Sequence, residues 1–223
     1  WTRWSFVGVR SQAQLVARGG RAEWIGEVPA GIETVGNTTQ LLDSALSELH
    51  TERIDGLPPL TGGLVGALGW DTLFDWEPDL RRKAPSELST PDAVMCLVTD
   101  MVAVDHHEGT IWLISNAVNS NNRDSGVDAA YQRAVARLDA MERALDRPET
   151  LHAAGICDQA APEPVLRTPQ PLYEEAVRAG KDAIREGEVF QVVLSQRADI
   201  ACDADPLDVY RVLKTINPSP YMY

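Results

Sequence analysis

Cysteine is scarce. Three occur in 223 residues, Cys96, Cys157 and Cys202, far apart and with no C-x-x-C pair. That excludes a disulfide frame and a cysteine zinc site, and points to free thiols in a reducing compartment, the cytoplasm. No run of 18 uncharged apolar residues occurs, so no helix is expected to span a bilayer. Positive charge is short as well: 20 Lys plus Arg against 33 Asp plus Glu, a net charge of −13. Such a surface repels phosphates, and no basic stripe offsets it, which argues against nucleic acid as a partner. It does not steer anionic metabolites inward either, so any anion site must be built locally. What is present is ordinary: 44% hydrophobic and 24% charged residues, the mix of a globular chain of one large or two small domains. The chain starts at Trp1 without a leader-like segment, in what reads as a strand already under way. It stops at Tyr221-Met-Tyr223, so a piece of a longer polypeptide, incomplete at both ends, is expected.

Hydrophobic periodicity predicts strands at 4–9, 13–18 and 21–26, with Gly19-Gly20 as a two-residue hairpin turn. A helix is expected over 38–53, with Leu41, Leu42, Ala45, Leu46 and Leu49 on one face and a cap at Asn37, Thr38 or Thr39. Residues 62–70 read as a small-residue strand. Strands at 93–104 and 110–118 flank Asp105-His-His-Glu-Gly109, and 126–146 reads as an amphipathic helix with Val127, Tyr131, Val135, Leu138, Met141 and Leu145 in phase. Residues 148–169 are rich in Pro and Ala and read as a linker or surface excursion between an N-terminal domain, 1–147, and a second domain beginning at 170. Beyond it come a helix at 172–186, with Tyr173, Ala176, Val177, Gly180 and Ile184 on one side, and a strand at 189–200. A last helix at 206–216 is capped by Asp205 and entered through Pro206. Mixed elements without strict alternation indicate an α+β fold or a mixed layered sandwich.

Several motifs invite chemistry. The glycines at 62, 63, 66 and 69 fit no phosphate-loop spacing, so close strand packing is their expected role. His106 and His107 are adjacent on a strand and point to opposite faces, which disfavours one shared metal; a hairpin turn is the simpler reading. His50 and His152 stand alone. Along 189–197, alternation puts Phe190, Val192 and Leu194 on one face and Gln191, Val193, Ser195 and Arg197 on the other. The second face is either solvated or lines a cavity. Asn217-Pro-Ser-Pro-Tyr-Met222 fixes a rigid extended turn after a helix.

Phe190-Gln-Val-Val-Leu-Ser-Gln-Arg197, followed by Asp205-Pro, Tyr210-Arg211 and Asn217-Pro-Ser-Pro-Tyr-Met222, resembles the anthranilate synthase component I family. Arg3-Trp-Ser-Phe-Val-Gly8 resembles that family's early R-Y-S-F-I-G strand. Gly62-Gly-Leu-Val-Gly66 with Trp70-Asp71 resembles its G-G-x-V-G-Y…Y-D stretch, and Pro91-Asp92 and Asp105-His-His-Glu-Gly109 fall in family order.

The resemblance implies a layered α/β sandwich of two sheets with flanking helices. It implies conversion of chorismate to anthranilate and pyruvate with Mg2+, the first committed step of tryptophan biosynthesis. Ammonia would come from a glutamine amidotransferase partner, component II, and tryptophan would inhibit. Pro220, Tyr221 and Met222, with Asn217, would contact tryptophan, and Gln191, Ser195 and Arg197 would line the cavity. Isochorismate-type relatives carry Lys at the position of Gln191, and a Gln cannot accept a proton. Aminodeoxychorismate synthases usually read closer to Q-V-N-L and lack the P-Y-M ending. The family's L-L-E-S segment, metal-binding glutamates and catalytic histidine have no match in this sequence. The chain alone is therefore expected to be inactive, with no certain catalytic residue and Mg2+ ligands beyond it. An aminodeoxychorismate or isochorismate synthase relative, or a non-catalytic effector-binding or interaction fragment, stays open as an alternative.

Overall fold

The computed structural model describes residues 3–80, 88–150, 153–156, 160 and 162–223. His152 and Cys157 lie outside these residues. The chain divides into two units, Trp1–Glu149 and Thr150–Tyr223.

The first unit is built on an antiparallel sheet. Its strands are β1 (Trp4–Arg18), β2 (Arg21–Gly26), β3 (Val35–Gly36), β4 (Gly63–Leu68), β5 (Ala93–Asp105) and β6 (Thr110–Ser115). The order is β3-β2-β1-β5-β4, with β6 also paired to β5. Gly19 and Gly20 both take positive φ, 60° and 78°, and close the β1–β2 hairpin as expected.

The two strands read at 4–9 and 13–18 are one. The register against β5 runs from Trp4↔Asp105 to Ala17↔Ala93 and shifts between Gly8 and Ala13. The net effect is one extra residue in β1, a bulge that exchanges its two faces. Trp4 and Phe6 are half-buried before it, whereas Ala13, Leu15 and Ala17 are buried after it. The change of phase interrupts the period-2 pattern, which makes one strand look like two.

Helix α1 (Thr38–Glu48) starts in a capping box. Gln40 N–H donates to Asn37 Oδ1 at 2.9 Å, and Asn37 N–H donates to Gln40 Oε1 at 3.3 Å. Leu41 and Ala45 join Leu15, Trp24, Ile32 and Leu97 in the core. The helix ends five residues before the expected 53, since Glu52 and Arg53 fall where the apolar stripe would continue and give nothing to bury. A short helix, α2 (Leu73–Trp76), receives the α1 N-terminus: Thr38 N–H donates to Asp75 Oδ2 at 3.0 Å.

Helix α3 (Val127–Leu145) packs against β6. Its inner face is the expected one in part, with Val135 and Leu138 half-buried. Ala130, Ala134 and Met141 are buried, whereas Val127, Tyr131 and Leu145 are more than half exposed. The small alanines let the helix approach the sheet along its first half, where Val127 and Tyr131 stay outside. Arg137 reaches from this face to Asp100, 1% exposed on β5, with Nε donating to Oδ1 at 2.8 Å. Ser115 and Thr99 also donate to that carboxylate. Strand β6 stops at Ser115 rather than 118, where Asn116 turns inward and its Nδ2 donates to Thr61 O at 2.8 Å and Thr99 O at 3.0 Å.

The glycines at 66 and 69 act as the sequence suggests. A Cβ on Gly66 would collide with the Val94 carbonyl and lie 2.8 Å from Met95 Cα; one on Gly69 would lie 2.7 Å from Asp92 O. The β5–β6 turn is likewise a hairpin, with Gly109 at φ 66°. Asp105, 2% exposed, caps it by accepting from His107 N–H at 3.0 Å and Glu108 N–H at 3.3 Å. Arg3 grips the same carboxylate, Nε to Oδ1 at 2.9 Å and Nη2 to Oδ2 at 2.5 Å. The Arg3 hydrogen bonds hold the Asp105 carboxyl down to about 2. A depressed carboxyl pKa contributes stability that is complete above about pH 4 and lost as pH falls through about 2. Asp105→Asn should therefore flatten the acid limb of a stability profile between pH 2 and 5 measured by urea titration. An unchanged limb would show that Arg3–Asp105 does not tie the chain start to this turn.

In the second unit, helix α4 (Gln170–Glu186) ends at Gly187 in the left-handed region, φ 79°. Helix α5 (Pro206–Ile216) starts as expected, with Asp205 Oδ1 accepting from Leu207 N–H at 2.8 Å. Strands β7 (Val165–Leu166) and β8 (Ala198–Asp199) form a two-residue ladder. The strand expected over 189–200 is thus a correction: only Ala198–Asp199 pairs, and 189–197 has no ladder among the described residues. Its apolar side chains lack a closing layer, with Phe190 93% and Val193 82% exposed. An extended segment is assigned to a sheet only by a neighbour, and β7 offers two residues.

Candidate functional site

The candidate cavity and effector residues, Gln191, Ser195, Arg197, Asn217 and Pro220 to Met222, all lie in the second unit. The segment after α4 folds back along it. Val192 packs over Gly180, where a Cβ would meet Val192 Cγ1 at 3.7 Å, an ordinary contact. Gln191 and Ser195 are exposed and make no hydrogen bond with a described residue. The Gln191 amide can donate and accept but cannot take a proton, and no described base faces the Ser195 hydroxyl.

Arg197 is half-buried and engaged. Its Nε donates to Asp199 Oδ1 at 2.9 Å and its Nη2 to Oδ2 at 3.2 Å. Arg167 approaches the same carboxylate from β7, Nε to Oδ2 at 2.7 Å. Hydrogen bonds from Arg197 and then Arg167 hold the Asp199 carboxyl down to about 2, so it is charged at any physiological pH. Gln196 completes the clamp, its Nε2 donating to Thr168 O at 2.8 Å and its Oε1 accepting from Thr168 N–H at 3.2 Å. Arg167 and Asp199 were not singled out in the sequence. Two-residue strands leave no period to read, and the Arg–Asp–Arg arrangement exists only once β7 and β8 pair.

The turn after α5 leaves Asn217, Pro220 and Tyr221 exposed, Tyr221 at 86%, with Met222 half-buried. Asn217 N–H donates to Leu213 O at 2.9 Å and closes the helix. Ser219 N–H donates to Met222 Sδ at 3.3 Å, which folds the sulfur back onto the proline turn. Pro220, Tyr221 and Met222 thus present a ring, a phenol and a thioether within three residues.

Among the described residues, no group of three or more His, Cys, Asp or Glu side chains could hold a metal ion. The only carboxylate in the β7–β8 clamp is already taken by two guanidiniums. These residues do not fit a Mg2+ site. Ser5 Oγ lies 2.7 Å from His106 Nε2, and His107 Nδ1 lies 2.9 Å from Glu108 Oε1, so the two histidines have separate partners. His50 is exposed. Cys96 and Cys202 are free thiols. No described helix is long and apolar enough to cross a membrane.

The family model described as chorismate binding enzyme matches residues 2–223. The chain belongs to the chorismate-binding enzyme family. Anthranilate synthase component 1 of Arthrobacter globiformis is 44% identical over 227 residues, spanning 100% of this chain and 42% of that protein. The protein of the same name from Mycolicibacterium smegmatis is 46% identical over 223 residues, again 100% and 42%. The chain thus spans less than half the length of these relatives. The crystal structure of anthranilate synthase component I from Streptococcus pneumoniae superposes with a TM-score of 0.76 at 22% identity, covering 100% of this chain and 47% of that one. At that identity the likeness carries the fold, mixed helix and strand, as expected from the sequence.

Proposed function

We propose that this member of the chorismate-binding family is part of an enzyme that adds ammonia to chorismate and releases anthranilate, pyruvate and water. The observation that carries this reading is identity of 44% and 46%, across the whole chain, to two relatives that share one name. Gln191 supports it. A base is needed to activate water, whereas ammonia is already a nucleophile, so a neutral amide suits amine addition. In this reading residues 1–147 are the N-terminal domain, 148–169 a linker and 170–223 the start of the chorismate-binding domain, and two sheets form a layered sandwich. Gln191, Ser195 and Arg197 line the cavity, with Arg197 set in place by Asp199. A glutamine amidotransferase subunit delivers the ammonia, and the enzyme works in the cytoplasm. Mg2+, where it acts, takes its ligands from beyond these residues.

Feeding 15N-ammonium and chorismate to the parent polypeptide tests the reaction type. Label should appear in anthranilate by mass spectrometry, with pyruvate formed one to one. Unlabelled isochorismate as the product would reject the reading.

The same proposal assigns Asn217, Pro220, Tyr221 and Met222 to a tryptophan site. An indole favours flat apolar surface and a polarizable sulfur, which Pro, Tyr and Met provide. Met222→Thr in the parent should raise the tryptophan concentration for half-inhibition by about tenfold, roughly 1.4 kcal/mol of lost contact, with uninhibited activity retained. Superimposable inhibition curves would remove Met222 from the site.

A further inference from the structure

We infer that the first unit holds a binding site for a small oxyanion, a carboxylate or phosphate, between β1, the segment after β6 and α3. The pocket there has a volume of about 420 Å3 and is lined by Arg10, Gln12, Glu27, Ser120, Arg133 and Arg137, among others. A chain with 20 cations and 33 anions has placed three arginines on one small cavity.

The walls are fixed by bonds that do not use the two outer guanidiniums. Arg137 is anchored by Asp100 and by Asn116 O, to which its Nη2 donates at 2.9 Å, so its charge is matched. Gln12 Nε2 donates to Glu27 O at 2.9 Å and Ser120 Oγ at 3.3 Å. Ala30 N–H holds Ser120 O at 2.9 Å. Arg10 stands at the β1 bulge, opposite Asp100 in the register. Arg10 and Arg133 are both exposed, and neither guanidinium has a hydrogen bond or ion pair with a described residue. Two unpaired guanidiniums on one pocket repel each other until an anion lies between them. Their fork geometry suits the paired oxygens of a carboxylate or phosphate, and a positive pocket in an acidic surface is the local device such an anion requires. Glu27 on the rim opposes them, so two free cations face one carboxylate. That balance suits a compact anion of low charge rather than a polyanion.

The site rests on the geometry of the first unit and is independent of the reaction proposed above. Titrate the 15N-labelled chain with inorganic phosphate and, separately, malonate, at constant ionic strength made up with chloride. Saturable amide shifts should centre on Arg10, Gln12, Ser120 and Arg133, with a Kd of about 1 mM for the preferred anion. The stronger of the two tells phosphate from carboxylate. Arg10→Gln with Arg133→Gln should weaken binding at least about tenfold, whereas Glu27→Gln should tighten it about threefold by removing the opposing charge. No saturable shift up to about 20 mM of either anion would overturn the inference. So would equal shifts with chloride alone, or unchanged affinity in the double variant with its fold intact by circular dichroism.

Discussion

Gly66→Ala should destabilise the first unit by about 3 kcal/mol, lowering its melting temperature by roughly 9 °C. The new methyl would collide with backbone, the Val94 carbonyl and Met95 Cα on β5, not with the end of a side chain that can swing away. Strand β4 would have to lift from β5 along Gly63–Leu68. The matched control is Gly8→Ala in the same sheet, where the methyl would meet only the Val98 side chain, Cγ1 at 3.7 Å and Cγ2 at 3.9 Å, ordinary contact at a normal φ. That change should be neutral or stabilising by up to about 1 kcal/mol, since alanine restricts the unfolded chain more than glycine does. Thermal unfolding followed by circular dichroism separates the two. Equal melting temperatures would mean that β4 does not approach β5 as described.

Gln191→Lys in the parent polypeptide should lower anthranilate formation at least about tenfold, some 1.4 kcal/mol in the barrier. A lysine there is longer, charged, and becomes a base only once its surroundings depress its pKa. Where that happens, water competes with ammonia as nucleophile, and chromatography of the products should show isochorismate beside anthranilate. Unchanged anthranilate output would place Gln191 outside the cavity and leave the choice of nucleophile to other residues.

The parts of the fold legible in the sequence were those with a strong local cause. Asn37 and Asp205 cap helices through their own side chains, and Gly19-Gly20 supplies two positive φ angles in succession. Gly66 and Gly69 were legible as close approaches because their spacing fitted no phosphate loop. The features that escaped depend on distant partners. The β1 bulge appears only in the register with β5, and the first half of the inner face of α3 is set by alanines that a search for large apolar residues passes over. The segment 189–197 alternates as a strand does, yet alternation cannot supply a neighbour to pair with. Around the candidate site, Gln191, Ser195 and the proline turn stood out by motif. The Arg167–Asp199–Arg197 clamp did not, since Arg167 is 32 residues from Asp199 in sequence and meets it through a two-residue ladder.

The proposal that this chain is part of an anthranilate-forming enzyme, with the reacting groups completed outside these 223 residues, is tested most directly by anthranilate fluorescence. Chorismate, ammonium and Mg2+ are supplied to the 223-residue chain and, in parallel, to the longest polypeptide carrying it in its native reading frame. The expected result is anthranilate from the longer polypeptide and none above background from the chain alone. Turnover by the chain alone at a rate near that of the longer polypeptide, or a longer polypeptide that consumes chorismate without forming anthranilate, would contradict it.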